Sequence, residues 1–262
     1  MRLPWFACGL ALALCGTVGA ETIISGNVLS DTTWGPSGTP YIVTGDVRVR
    51  FEATLTIEGG TEVRFEPGGS LTTDAGSAIV AAGTSGSRIA FRSSTASPAV
   101  GDWDGISVYA SAGSSFARCD FLHADACLEM NVSDGDVDRC TFTESVVGIR
   151  CLRSSPTITG CSFTGLTSVG VLCWGRESRP GISGSNFTDN PWNIYLSSYT
   201  SPLVTIVAED NWWGTASEPE IAAGIYDNDD SPAVYGVVDY DPWLKGEAVR
   251  ATTWGALKAL FR

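Results

Sequence analysis

Between residues 116 and 196 the apolar positions fall into columns that repeat along the chain. The segments Arg118-Cys119-Asp120-Phe121, Arg139-Cys140-Thr141-Phe142 and Gly160-Cys161-Ser162-Phe163 recur every 21 residues, and Ser185-Asn186-Phe187 follows 24 residues later. A second set keeps step with the first: Leu128/Met130, Ile149/Cys151, Val171/Cys173 and Ile194/Leu196. A third column, Phe116, Val137, Ile158 and Ile182, sits five residues before each Phe. Within each pair the apolar residues are two apart, the spacing of a strand with one face buried. Each repeat therefore predicts three very short strands joined by Gly, Ser, Asp and Asn turns, with no helical run. Such strands bury their inward faces only by stacking repeat on repeat, so the pattern predicts an all-β parallel β-helix. Leucine-rich repeats share the period, but their Leu-x-x-Leu-x-Leu pattern is missing.

The columns extend upstream through Leu55/Ile57, Val63/Phe65, Leu71/Thr73, Ile79/Ala81, Ile89/Phe91 and Ile106/Val108, with Tyr41/Val43 and Val47/Val49 before them. Downstream, Asn211-Trp212-Trp213-Gly214 puts bulk where the aliphatic and Phe positions would recur. A stack of coils has open ends that repeat proteins cover, and residues 214 to 244, rich in Asp, Pro and aromatics, fit a C-terminal cap. About seven to eight coils are expected over 21–244. In the last segment, 245–262, Trp254, Leu257 and Phe261 fall at helical spacing, which predicts a tail helix that caps the last coil or serves as a sorting element.

Several stretches carry a family resemblance: Pro40 to Val47, Ala53 to Thr61, Gly101-Asp102-Trp103-Asp104-Gly105-Ile106, Asn211-Trp212-Trp213-Gly214 and Asp239-Tyr240-Asp241-Pro242-Trp243. Over residues 25 to 244 the chain resembles the secreted right-handed parallel β-helix proteins of bacteria, with the pectate-lyase-like fold. The resemblance implies the fold and leaves activity open, because the same coils carry lyases, hydrolases and surface proteins without catalysis.

Composition adds an address and an exclusion. Residues 1–20 begin with Arg2, run through an apolar stretch and end Val18-Gly19-Ala20, the pattern of a cleaved signal peptide. The apolar run is too short for a bilayer span of roughly 20 residues. A secreted, periplasmic or cell-surface monomer is expected, with no membrane span. The 262 residues carry 16 basic and 29 acidic side chains, net -13, so a nucleic-acid partner would be repelled.

Six cysteines follow residue 20. Cys119, Cys140 and Cys161 form one column, Cys151 and Cys173 share another, and Cys127 stands apart. In slots that elsewhere take hydrophobes they read as buried free thiols, although the rung spacing also permits disulfides. Neither the cysteines nor the one histidine has zinc-site spacing.

Catalysis would have to rest on carboxylates, because His123 is the only histidine. His123 and Glu144 each lie two residues past their Phe, with Asp125 and Asp189 near them in register, and no basic residue is evident beside them. A polysaccharide lyase or glycoside hydrolase would use such acids on the outer face of the coils. The alternative is a non-catalytic module whose exposed aromatics, Trp174, Trp192, Tyr195 and Tyr199, stack on a polysaccharide or cell-surface glycan. Absence of a recognisable catalytic motif favours the module. No organic cofactor is implied; Ca²⁺ is the one metal with a candidate cluster, Asp227, Asp229 and Asp230.

Overall fold

Each coil makes three corners, and from residue 110 onward each corner opens with one left-handed residue. After the first strand of the coil these are His123, Glu144, Gly165 and Asp189; after the second, Ala110, Val132, Arg153, Gly175 and Ser198; after the third, Arg118, Arg139, Gly160 and Gly184, all with positive φ. The first residue of each Arg/Gly-Cys-x-Phe repeat is thus a corner, and the Cys after it opens a strand at Cys119 and directly precedes one at Cys140 and Cys161. Left-handed backbone costs a non-glycine residue of order 1 kcal/mol, so packing on either side must hold these corners.

The computed structural model describes residues 21–111 and 113–247. Three parallel sheets form the walls of the solenoid. Sheet A has eight strands, from Thr22–Ile24 through Cys119–Leu122, Thr141–Thr143 and Ser162–Thr164 to Asn186–Thr188. Sheet B has eight, from Asp46–Val49 through Trp103–Tyr109, Ala124–Asn131, Val147–Leu152, Val169–Trp174 and Trp192–Ser197 to Ile225–Tyr226. Sheet C has seven, from Thr32–Trp34 to Gly181–Ser183. Strands one coil apart in sequence are neighbours in space, and the registers pair Phe121 with Phe142, Leu128 with Ile149 and Val137 with Ile158, as the repeat predicts.

The interior is a set of ladders. Phe91, Phe121, Phe142, Phe163, Phe187 and Trp213 stack with centroid separations of 4.9, 5.0, 4.8, 4.7 and 4.9 Å. Trp213 ends this column, which is why the repeat breaks at Asn211-Trp212-Trp213-Gly214. Beyond it lie the short helix Glu218–Ala223, absent from the sequence-based expectation for the cap, and the paired strands Val204–Val207 and Gly236–Asp239. In sheet B an extra residue, Cys127, enters between the pairs Gly105/Ala126 and Ile106/Leu128. The following coils fill that slot with Gly148 and Gly170, because a Cβ on Gly148 would stand 2.8 Å from a Phe163 ring carbon and 2.6 Å from the Gly170 carbonyl.

All six cysteines among the described residues are free and buried. The Cys119, Cys140, Cys161 column does more than fill space. Cys119 N–H donates to Cys140 Sγ at 3.4 Å, Cys161 N–H to Ser185 Oγ at 3.1 Å and Ser185 N–H to Asn211 Oδ1 at 2.9 Å. Each side chain satisfies a corner amide one coil behind it, so Cys, Ser and Asn are successive members of one acceptor ladder. The expected buried free thiols are present, with Ile89 in register with Cys119 in the same column, and the column adds an acceptor role to that packing. Burial pushes the Cys127 thiol up to about 12 and raises Cys119 and Cys161 well above the ordinary thiol range, which keeps them protonated and unreactive.

The signal-peptide segment 1–20 and the helix-patterned residues 248–262 lie outside the described residues. No helix among the described residues is long and apolar enough to cross a membrane.

Three outcomes follow from these ladders. Phe142→Ala should cost about 3–5 kcal/mol in equilibrium denaturation, as a cavity in the middle of the aromatic column. Cys140→Val should cost about 1–3 kcal/mol by orphaning the Cys119 amide, whereas Cys140→Ser, which keeps an acceptor, should cost clearly less. Alkylation under denaturing, non-reducing conditions, read by mass spectrometry, should label all six cysteines beyond residue 20.

Candidate functional site

The outward residues of sheet B lie between the inward apolar pairs, and the parallel register lines them up from coil to coil. Ser107, Glu129, Arg150, Leu172, Tyr195 and Tyr226 form one outward column. Two residues further along each strand, Tyr109, Asn131, Leu152, Trp174 and Ser197 form the next, at the edge where the chain turns toward sheet C. Neighbouring rungs are about 4.8 Å apart, so these columns are regular two-residue rows on a flat wall.

The second column borders an open groove of about 400 Å³ lined by Asn131, Leu152, Arg153, Trp174, Gly175 and Glu177. Trp174 is 53 % exposed, an unusual state for the largest apolar side chain. Among the described residues Arg153 and Glu177 enter no ion pair, so a cation and an anion both stand free at the groove. Toward the C-terminal end of the same wall, Tyr195 stacks on Tyr226 at 4.4 Å, and Trp192 meets both edge-on at 5.7 Å. Three of the four sequence-predicted aromatics therefore share this face. Tyr199 does not: it is 2 % exposed, packs in the core and donates its hydroxyl proton to the Ser178 carbonyl, so burial of its ring overrides the expectation of an outward platform.

The predicted acidic cluster divides. His123 Nε2 and Glu144 Oε2 are 3.2 Å apart, but the histidine ring is buried at a corner while Glu144 is 70 % exposed. The His123 Nδ1 atom is buried with no hydrogen-bond partner among the described residues. Asp189 occupies the same corner two coils beyond Glu144, with Gly165 between them, about 10 Å along the stack. Asp125 points to the outer face of sheet B, where Arg150 lies 3.6 Å from it and 3.1 Å from Glu129. Arg150 is thus the basic partner that the sequence reading did not find. It sits between Ile149 and Cys151, in the outward slot that strand alternation assigns it, and reading that slot coil by coil would have found it together with Ser107 and Glu129.

The remaining surface acids of sheet A are likewise matched with arginines. Arg88 reaches Asp120 at 2.7 Å, and Glu62 pairs with Arg64 at 2.8 Å and with Arg92. Burial acts to raise the Glu62 pKa, but hydrogen bonds and charge from Arg64 and Arg92 prevail and hold it below the usual glutamate value.

In the cap, Asp227 is buried and its carboxylate accepts the backbone N–H groups of Asp229 at 2.9 Å and Val238 at 2.8 Å. Asp230 in turn accepts the Asp227 N–H at 3.2 Å. These hydrogen bonds make the acids turn-fixing acceptors, and burial outweighs them to raise the Asp227 pKa. Among the described residues no group of three or more His, Cys, Asp and Glu side chains is placed to hold a metal ion.

Comparison with known families agrees with this geometry. Residues 104–231 match the right handed beta helix region model, and residues 26–118 match the pectate-lyase like beta helix domain model. The fold is accordingly an all-β, right-handed parallel β-helix of about eight turns. No curated protein and no solved structure matches the chain.

Proposed function

We propose that the protein is a secreted, non-catalytic β-helix that binds a glycan on the outer face of sheet B. The observation that carries this reading is Trp174, held 53 % exposed on the wall of a groove that also presents Arg153, Glu177 and Asn131. An aromatic face flanked by hydrogen-bonding groups matches the two faces of a sugar, whose ring carbons are apolar and whose rim is hydroxylated. Arg150 ties Asp125 and Glu129 into ion pairs on the same wall, which leaves them as a fixed polar floor. The signal-peptide pattern of residues 1–20 and the match to a pectate-lyase like beta helix domain support the same reading.

A lyase or hydrolase reading draws on one observation, the two carboxylates Asp125 and Glu129 joined by a cation on one exposed face. It requires turnover that depends on them. Reducing-end and unsaturated-product assays on neutral and uronic-acid polymers should show no turnover; activity lost on Asp125→Asn or Glu129→Gln would establish the enzyme instead. For the binding reading, Trp174→Ala should weaken retention on a glycan array by about tenfold or more at unchanged melting temperature, the worth of one aromatic contact. Unchanged glycan binding by that variant would remove the groove from the proposal.

A further inference from the structure

The register of sheet B places a second aromatic platform in line with the first. Tyr109, Asn131, Leu152 and Trp174 are direct register partners in succession, each one coil from the next. Tyr109 is 45 % exposed at one end and Trp174 53 % at the other, three rungs or about 14 Å apart. Between the platforms the column carries no bulk: Leu152 is half-buried, and Asn131 contributes only its amide. Among the described residues the Asn131 Oδ1 atom is buried with no hydrogen-bond partner. Alongside, the Ser107 hydroxyl donates to Glu129 at 3.1 Å and Glu129 binds Arg150, so the neighbouring column is a preset polar floor.

We infer that the ligand is a linear polysaccharide lying lengthwise along the solenoid, over Tyr109, Asn131, Leu152 and Trp174, and that Tyr109 is a chain-length-determining contact. The inference rests on the glycan-binding reading above and adds direction, length and a residue to it. One rung is close to the length of one pyranose in an extended chain. Rings stacked on Tyr109 and Trp174 are therefore three units apart, and four consecutive sugars are the shortest ligand to reach both. A mono- or disaccharide reaches only one platform. A branched glycan of the same composition cannot lie flat over Leu152 without placing its branch against the wall.

The experiment uses the full chain, with calorimetric titration by oligomers of one to six units of β-1,4-linked glucose, xylose and mannose and of α-1,4-linked galacturonate. Affinity for the recognised series should climb steeply between trimer and tetramer and then level. Tyr109→Ala should lower tetramer affinity by about tenfold, to that of the trimer, with trimer affinity unchanged. Trp174→Ala should weaken every length. Both side chains are exposed, and unchanged far-ultraviolet circular dichroism and melting temperature would confirm that each variant folds. Affinity that does not depend on length beyond the dimer, or a Tyr109→Ala tetramer affinity equal to wild type while Trp174→Ala still abolishes binding, overturns the lengthwise placement and leaves the groove in place. Failure of every oligomer to bind the wild-type chain overturns both.

Discussion

The central coils of this molecule depend on opening each corner with one left-handed residue without stranding a backbone amide. Three such corners per coil keep the strands in register, and the register then produces the aromatic ladder, the outward columns and the groove. Left-handed Arg118, Arg139, Gly160 and Gly184 make the turn at one corner. Cys140, Ser185 and Asn211 meet N–H groups there that would otherwise point into an apolar interior. The corner is thus a strained backbone held by a satisfied one, and neither half would persist alone.

This requirement explains which parts of the structure were legible in the sequence. Inward positions obey a strict rule, because a buried Phe stacked on Phe tolerates few replacements, so Phe121, Phe142 and Phe163 announce the period by themselves. The fold, the coil boundaries and the pairing of Leu128/Met130 with Ile149/Cys151 followed from that column. Outward positions obey only alternation, which constrains direction and leaves identity free. Arg150, Tyr109 and Asn131 were therefore present in the pattern yet carried no signal until neighbouring coils were laid side by side. Tyr199 shows the opposite failure: it lies just past the last full strand of sheet B, where the alternation lapses, and its ring turns inward against Gly236.

The acidic character of the chain also resolves differently in space than along the sequence. A net charge of -13 suggests broad repulsion, but Glu62, Asp120, Asp125 and Glu129 each face an arginine. Such half-exposed pairs contribute little to stability individually. Asp125 and Glu129 share the single Arg150, whereas Glu62 has two arginines, and among the described residues Arg153 and Glu177 at the groove enter no ion pair. Charge is placed where the column architecture puts it, one residue per coil.

The outward column of sheet B takes one residue from each coil, and each coil touches only its neighbours. Its length is therefore a count of coils, and the molecule works as a ruler graduated in steps of about 4.8 Å. Gain or loss of one 21-residue unit between Asn131 and Leu152 would move Tyr109 and Trp174 apart or together by one step, with both platforms, their corners and the inward ladder otherwise unaltered. A mutation of that kind changes no side chain in the groove and yet rewrites the size of what fits along it. In a solenoid of this kind, adjusting recognition by slippage of whole repeats is open to evolution in a way that a globular pocket does not allow.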